Sequence, residues 1–538
     1  MVYQVRNHVR RTFEQLLKLL PESERTKPQV ILVAGGVTSY RNDTDRELPF
    51  RQESNFFYLT GCDVVSSILL AKLPANGNPS TTPPTTTLFI PKAERADIMW
   101  SVPPPEVYNA RKMLDASEIK HSFHLPDAIN TTLKDTPDAI FHVLPRNSPL
   151  FPQLPELALS ALSPNNATVE EQYLLPALQR TRLIKDSDEI ALIKKANEIS
   201  SRAHETVMRV LGLAVKNKIA REEGAGVTRP LLPGEWFIEK EAEAEAIFVA
   251  SCRREGAPHQ AYLPIVAASS RASTLHYCCN DKDFAWGPIG PRTHVNNRAF
   301  APRSAHHHVS EPHTNQIHPQ VLLIDAGCEF NYYASDITRT MPVGNGGRFV
   351  KETANIYDIV HEMQKAAFDM IKPGVHWDRV HLECHKVLIK NFLRLNLFKG
   401  TEEEILKSGV SAAFFPHGLG HSLGMDVHDV PEASRPEKND TIPKTDAGSE
   451  KLYTYLRLRL PLEAGMVVTV EPGIYFHPHL VAPVLDSKYI NLEGMKDYQF
   501  FGGLRIEDVI VITKDGYENL TTVKSDRSWV EDVCSGEL

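Results

Sequence analysis

The chain is expected to fold as a mixed α/β (α+β) protein of two domains. Three observations lead there. An amphipathic N-terminal segment is followed by short β-prone runs separated by turn residues. Near residue 182 the pattern changes to a long helical period. Beyond it, short apolar runs interrupted by acids and glycines recur toward the C-terminus. At about 150 residues per domain, 538 residues allow three or four domains. Units of α/β or barrel type run larger, so two is the expectation.

In "MVYQVRNHVRRTFEQLLKLLPE" the apolar positions Val5, Val9, Phe13, Leu16, Leu17 and Leu20 have helical spacing, without the unbroken apolar region of a signal peptide. "QVILVAGG" (29–36), "NFFYLTGC" (55–62), "SSILLAKLP" (66–74) and "TTLFIPK" (86–92) read as strands. "ANGNPSTTPPTTT" (75–87) reads as a loop. "SDEIALIKKANEISSRAHETVMRVL" (187–211) reads as a helix with Ser187 as N-cap and Glu189 in the first turn, where the macrodipole favours an acid. The boundary therefore falls within 180–185, giving domains 1–182 and 183–538. Two irregular polar stretches, about 283–320 and 431–451, read as surface insertions. The "HHH" tract at 306–308 lies in the first and is read as solvated, not as a metal site.

Composition excludes several functions. The net charge of −8 is spread without long runs of either sign, so nucleic acid is not an expected partner. Seven cysteines (Cys62, Cys252, Cys278, Cys279, Cys328, Cys384, Cys534) are odd in number and dispersed, which fits reduced thiols in a cytosolic protein. No apolar stretch reaches the ~20 residues that crossing a bilayer requires. A soluble, cytoplasmic protein with no membrane partner is expected.

The chemistry lies in four segments. In "VLLIDAGCEFNYYASDITRTMPVG" (321–344) Asp325 and Asp336 are eleven residues apart. A tight turn centred on Phe330–Asn331 would set them directly opposite on antiparallel strands, with Cβ atoms ~4.5–5.5 Å apart. Two carboxylates so placed repel unless a cation sits between them. "MVVTVEPGIYF" (466–476) is a strand interrupted by Glu471, and "GGLRIEDVIVIT" (502–513) is a strand containing Arg505 and Glu507 on one face. A salt bridge from Arg505 to Glu507 accounts for one acid and leaves Glu471, Asp325 and Asp336 unexplained. "FFPHGLGHSLGMDVHD" (414–429) contributes His417, His421 and His428. The i, i+4 spacing of His417 and His421 suits a helical metal pair, but Gly418, Gly420 and Gly424 favour a loop or strand that brings backbone close to a ligand.

These motifs, in this order, resemble the pita-bread metallopeptidases, the family of prolidase, aminopeptidase P and methionine aminopeptidase. "FRQESNFFYLTG" (50–61) is similar to the N-terminal domain of the Xaa-Pro aminopeptidase and prolidase branch. The resemblance implies an aminopeptidase P-like N-terminal α/β domain and a pita-bread catalytic domain. It implies two divalent metal ions per subunit, Mn²⁺ before Zn²⁺ for an oxygen-dominated ligand set, held by Asp325, Asp336, His421, Glu471 and Glu507. Asp325 and Glu507 would bridge, and Glu471 would also shuttle a proton to the leaving imino nitrogen. His276 and His428 would hold substrate and stabilise the oxyanion, His417 would line a pocket for the proline ring, and Arg505 would brace the bridging carboxylates.

The expected activity is removal of the N-terminal residue from peptides with proline second, by a subunit that is a homodimer in analogous proteins. The alternative is prolidase, restricted to dipeptides. The resemblance supports it through Arg457, which lies where prolidases of this type carry an arginine that can clamp the free carboxylate, with Arg459 a neighbouring candidate for the same register. A non-catalytic peptide-binding relative is the third reading, disfavoured because all five ligand positions are filled.

Overall fold

The computed structural model describes residues 3, 5–96, 98–163, 167–216, 238–284, 317–436, 449–498 and 501–538. The cores of both expected insertions, including the histidine tract at 306–308, lie outside the described residues. The chain divides into two compact units, Met1–Leu183 and Ile184–Leu538.

In the first unit helix α1 (Val5–Leu19) buries Val5, Val9, Phe13 and Leu16, the stripe its periodicity marks. Each such side chain contributes about 1.5–3 kcal/mol on burial. Strand β1 (Gln29–Ala34) is buried along its length. The run at 55–62, read as a strand, is instead helix α2 (Ser54–Thr60). The carboxylate of Glu53 accepts from Phe56 N, and Gly61 at φ 60° closes the C-terminus, so caps at both ends override the β-prone composition. Strands β2 (Ile68–Leu73), β3 (Thr85–Ile90), β4 (Glu118–His121), β5 (Ile140–His142) and β6 (Thr168–Glu170) complete a six-stranded mixed sheet in the order β4-β3-β2-β1-β5-β6.

The second unit opens with helix α3 (Ser187–Lys216). Its cap is Asp186, not Ser187. The Asp186 carboxylate accepts from the Asp188 and Glu189 N–H groups at 3.0 Å, and Glu189 returns a bond to Asp186 N at 2.9 Å. A carboxylate one residue earlier outcompetes the serine because it takes two orphan donors at once.

Four short strands follow: β7 (His259–Gln260), β8 (Ile265–Ala268), β9 (Gln320–Asp325) and β10 (Cys328–Phe330). After them come β11 (Tyr333–Ala334) and β12 (Thr338–Val343). The β10–β11 turn has Asn331 at φ 48° and Tyr332 at φ 70°, a two-residue hairpin loop with both central residues left-handed. The turn is thus centred one residue later than expected, and the shift moves the cross-strand partner by two. Asp325 pairs with Thr338, and Asp336 becomes its diagonal neighbour on the same face.

Helices α4 (Lys351–Met370) and α5 (Trp377–Arg394) pack on each other. They precede β13 (Val467–Val470), β14 (Gly473–Tyr475), β15 (Gly503–Arg505) and β16 (Asp508–Ile512). β13 pairs with β16 and β14 with β15, so the chain changes sheets at Glu471–Pro472 and again at Ile506–Glu507. Glu471, read as interrupting a strand, and Glu507, read as lying within one, therefore both stand at strand junctions.

Candidate functional site

Residues 419–423 are extended, not helical, and run beside β13. Glu471 N donates to Leu419 O at 2.8 Å, Thr469 N to His421 O at 3.0 Å and Leu423 N to Val467 O at 3.0 Å. A Cβ at Gly420 would lie 2.0 Å from Thr469 O. The glycine therefore lets backbone approach backbone, where a ligand was expected. Phe414, buried against Phe392, Phe398 and Phe476 at ring distances of 5.3–5.6 Å, anchors the start of this segment.

The segment delivers His421 to the acids. Its Nδ1 faces Ser422 O at 3.0 Å, which fixes the proton there and leaves the Nε2 lone pair 3.3 Å from Asp336 Oδ2 and 3.6 Å from Glu471 Oε1. Ligand atoms of Asp336, His421 and Glu507 all lie within 4.8 Å of one another. Asp325 joins them through Tyr262, whose hydroxyl is 2.6 Å from Asp325 Oδ1 and 2.5 Å from Asp336 Oδ1. The single phenolic O–H is shared between the two carboxylates. Burial and the charges of Asp325 and Glu471 hold the pKa of Asp336 well above the ordinary range.

Glu507 is raised by burial and by Asp336 and Asp325, and Glu471 by burial and Glu507. Four carboxylates thus share an enclosed volume with one guanidinium, an excess of negative charge that divalent cations would offset. Oxygen donors with a single correctly protonated imidazole are a suitable set for such ions.

Arg505 is not paired with Glu507. Its Nη2 donates to Asp325 Oδ2 at 2.6 Å, its Nη1 to the Tyr475 hydroxyl at 2.7 Å and its Nε to Thr338 Oγ1 at 3.0 Å. Thr338 in turn donates to Glu507 Oε2 at 2.7 Å. The Tyr475 hydroxyl donates to His417 Nε2 at 2.9 Å, and His417 Nδ1 donates to Gly418 O at 2.8 Å. Both nitrogens of His417 are therefore committed. Burial and the nearby Arg505 charge push its pKa down to about 3, so the ring is neutral.

The ring of His428 meets that of His421 edge-on at 4.5 Å. The surrounding walls, then His421 and Arg457, hold it below the ordinary imidazole value. His421, His428 and Arg457 line one cavity of about 270 Å³ together with Ser422, Glu432 and Arg435. His276 is exposed on a turn, close enough for its charge to act on both His417 and His428. The two arginines have different surroundings. Arg459 is bound to buried Asp378 at 2.7 Å, and Arg457 faces the cavity.

Sequence reasoning missed Tyr262, Thr338, Thr469 and Tyr475. Thr338 and Tyr475 lie within the motifs already noted, at even spacing from Asp336 and Glu471, so strand parity could have found them. Tyr262 stands alone in a loop with no periodic signal.

Comparison with known proteins identifies the family. Residues 191–514 match the model of metallopeptidase family M24, and residues 6–141 that of the aminopeptidase P N-terminal domain. A probable Xaa-Pro aminopeptidase of Paracoccidioides lutzii is 37% identical over 502 residues, covering 92% of this chain and 89% of that protein. A probable Xaa-Pro aminopeptidase of Metarhizium acridum is 36% identical, covering 99% of this chain and 89% of its own. Among solved structures, aminopeptidase P from E. coli superposes with a TM-score of 0.70 at 25% identity over 98% of each chain. Proline aminopeptidase P II from Yersinia pestis gives 0.69 at 25% identity over 99% of each. The chain belongs to metallopeptidase family M24, with its catalytic domain preceded by an aminopeptidase P N-terminal domain.

Proposed function

We propose that this chain is a metal-dependent Xaa-Pro aminopeptidase, a hydrolase that releases the N-terminal residue from peptides with proline second. The carrying observation is the convergence of Asp336, His421 and Glu507 donors within 4.8 Å. It occurs in a chain that aligns with Xaa-Pro aminopeptidases over 92–99% of its length. We assign the domains as 1–182 and 183–538, and the ligands of two divalent ions as Asp325, Asp336, His421, Glu471 and Glu507, with Mn²⁺ the preferred ion. Ions bound there supply Lewis acidity toward the scissile carbonyl and toward water.

The protein groups do the rest. Glu471, whose pKa burial raises, passes a proton to the imino nitrogen of proline as the bond breaks. His417, with both nitrogens engaged, offers a ring edge to the proline ring instead of a proton. His428 and His276 hold the substrate and stabilise the developing oxyanion. Arg505 keeps Asp325 oriented.

Arg457, facing the cavity beside His428, supports prolidase as a second reading, because its guanidinium is placed where it could clamp a dipeptide carboxylate. Gly-Pro and a longer peptide with proline second, supplied side by side with Mn²⁺, separate the two. The aminopeptidase cleaves the longer peptide, and cleavage of the dipeptide alone rejects it. Metal analysis of the purified chain tests the ion. All seven cysteines are free thiols, which supports a cytoplasmic site of action, and among the described residues no helix is long and apolar enough to cross a membrane. A homodimer rests on the family resemblance and is checked by sedimentation.

A further inference from the structure

The loop that carries His428 is tied down by an ion pair outside the ligand set. Lys185 Nζ lies 3.0 Å from Asp429 Oδ2, and both side chains are 1% exposed. The partners are 244 residues apart in sequence. Lys185 is itself fixed, since its backbone N–H donates to Gly465 O at 2.9 Å, just ahead of β13. Asp429 is fixed on the other side. Its N–H donates to Ser422 O at 2.9 Å, and a Cβ at Gly424 would lie 2.3 Å from its Oδ2. The next residue, Val430, has φ 42°, a strained conformation for a β-branched side chain that the surroundings must impose. Ser434 Oγ donates to Val430 O at 2.9 Å and lies 2.8 Å from Ser422 Oγ, closing the turn.

The ion pair sits one residue from His428, in a turn whose backbone is held against its own tendency. A buried pair with both ends anchored contributes little net stability, because desolvation offsets attraction. It does fix a geometry. We propose that Lys185 is a positioning residue for the reaction: through Asp429 it holds the turn that presents His428 to the substrate. The proposal rests on the role assigned to His428 above.

The test is a double-mutant cycle on the Mn²⁺-loaded full chain, with kcat and KM measured on an Ala-Pro-Ala tripeptide and bound metal measured in every variant. H428A establishes whether His428 acts at all. K185Q is expected to lower kcat/KM roughly 10- to 100-fold, with metal content unchanged. In the H428A background the same K185Q change should cost less than about twofold, because its effect passes through a side chain already removed. A merely structural role would lower both backgrounds equally. Full additivity, wild-type kcat/KM in K185Q, or loss of bound metal overturns the proposal. If K185Q does not fold, D429N, which keeps the side-chain volume, is taken through the same cycle. Failure of both to fold also overturns it, since the pair then holds the fold and not the turn. Wild-type activity in H428A rejects the role assigned to His428, a result distinct from additivity between the two sites.

Discussion

Arg505 reaches Asp325 across 180 residues of sequence, Nη2 to Oδ2 at 2.6 Å, while its Nη1 holds the Tyr475 hydroxyl at 2.7 Å. The guanidinium thus links a carboxylate of the candidate metal centre to the chain of bonds ending at His417. Its charge is stable there: burial opposes it, but Tyr475, Asp325, Glu507 and Glu471 together raise its pKa well above the ordinary value.

This geometry needs a planar fork. In R505K a single ammonium cannot reach Asp325, Tyr475 and Thr338 together. We expect kcat/KM to fall roughly 10- to 100-fold and metal to be lost faster on dialysis. Unchanged kinetics together with unchanged metal retention would count against the bracing role.

Chelation should expose the mutual repulsion of the acids. The wild-type melting temperature is expected to drop on exhaustive removal of metal, because Asp336, Glu471 and Glu507 are all held above their ordinary pKa values by burial and each other. D336N relieves part of this mutual repulsion, so its metal-free form should be more stable than metal-free wild type. Its activity should be lost. Calorimetry with and without chelator reads both effects. A metal-free D336N less stable than metal-free wild type would contradict this account.

Gly420 is expected to tolerate no side chain. The Cβ of G420A would stand 2.0 Å from Thr469 O, so the segment bearing His421 must move away from β13. We expect a loss of about 1–3 kcal/mol in denaturant unfolding, with reduced metal binding. A variant with wild-type stability and metal content would show that the close approach is dispensable.

His142 predicts part of the acid sensitivity. Its Nε2 donates to Gln29 Oε1 at 2.7 Å, and its buried Nδ1 has no hydrogen-bond partner among the described residues. Burial lowers its pKa to about 4. The folded-state value is depressed below the unfolded value of ~6.5, so above that pH the group costs nothing. As the pH falls from about 6.5 to about 4 the unfolded chain takes up a proton that the folded chain refuses, and up to about 3 kcal/mol is lost. H142Q should flatten this part of the pH–stability curve, as measured by urea unfolding between pH 4.5 and 7. An identical slope in the variant would assign the sensitivity elsewhere.

Much of this was legible before any coordinates. The stripe of α1, the strands at 29–34, 68–73 and 85–90 and the helix from 187 follow from local periodicity, which depends only on near neighbours. The helix at 54–60 did not, because its caps outweighed the composition between them. Asp325, Asp336 and Glu471 stood out as acids in apolar settings, where burial without a partner is costly, whereas the full ligand set, with His421 chosen among three histidines, came from the family resemblance.

What the amino-acid order determined by itself was which residue types would be forced into the interior at which short-range spacing. The register of the β10–β11 hairpin, the pairing of Arg505 with Asp325 instead of Glu507, the recruitment of Tyr262 and the bond from Lys185 to Asp429 were decided only in three dimensions. Each joins residues remote in sequence or turns on a one-residue choice of turn. Such contacts are selected by the packing and charge of the whole unit, which local spacing does not encode.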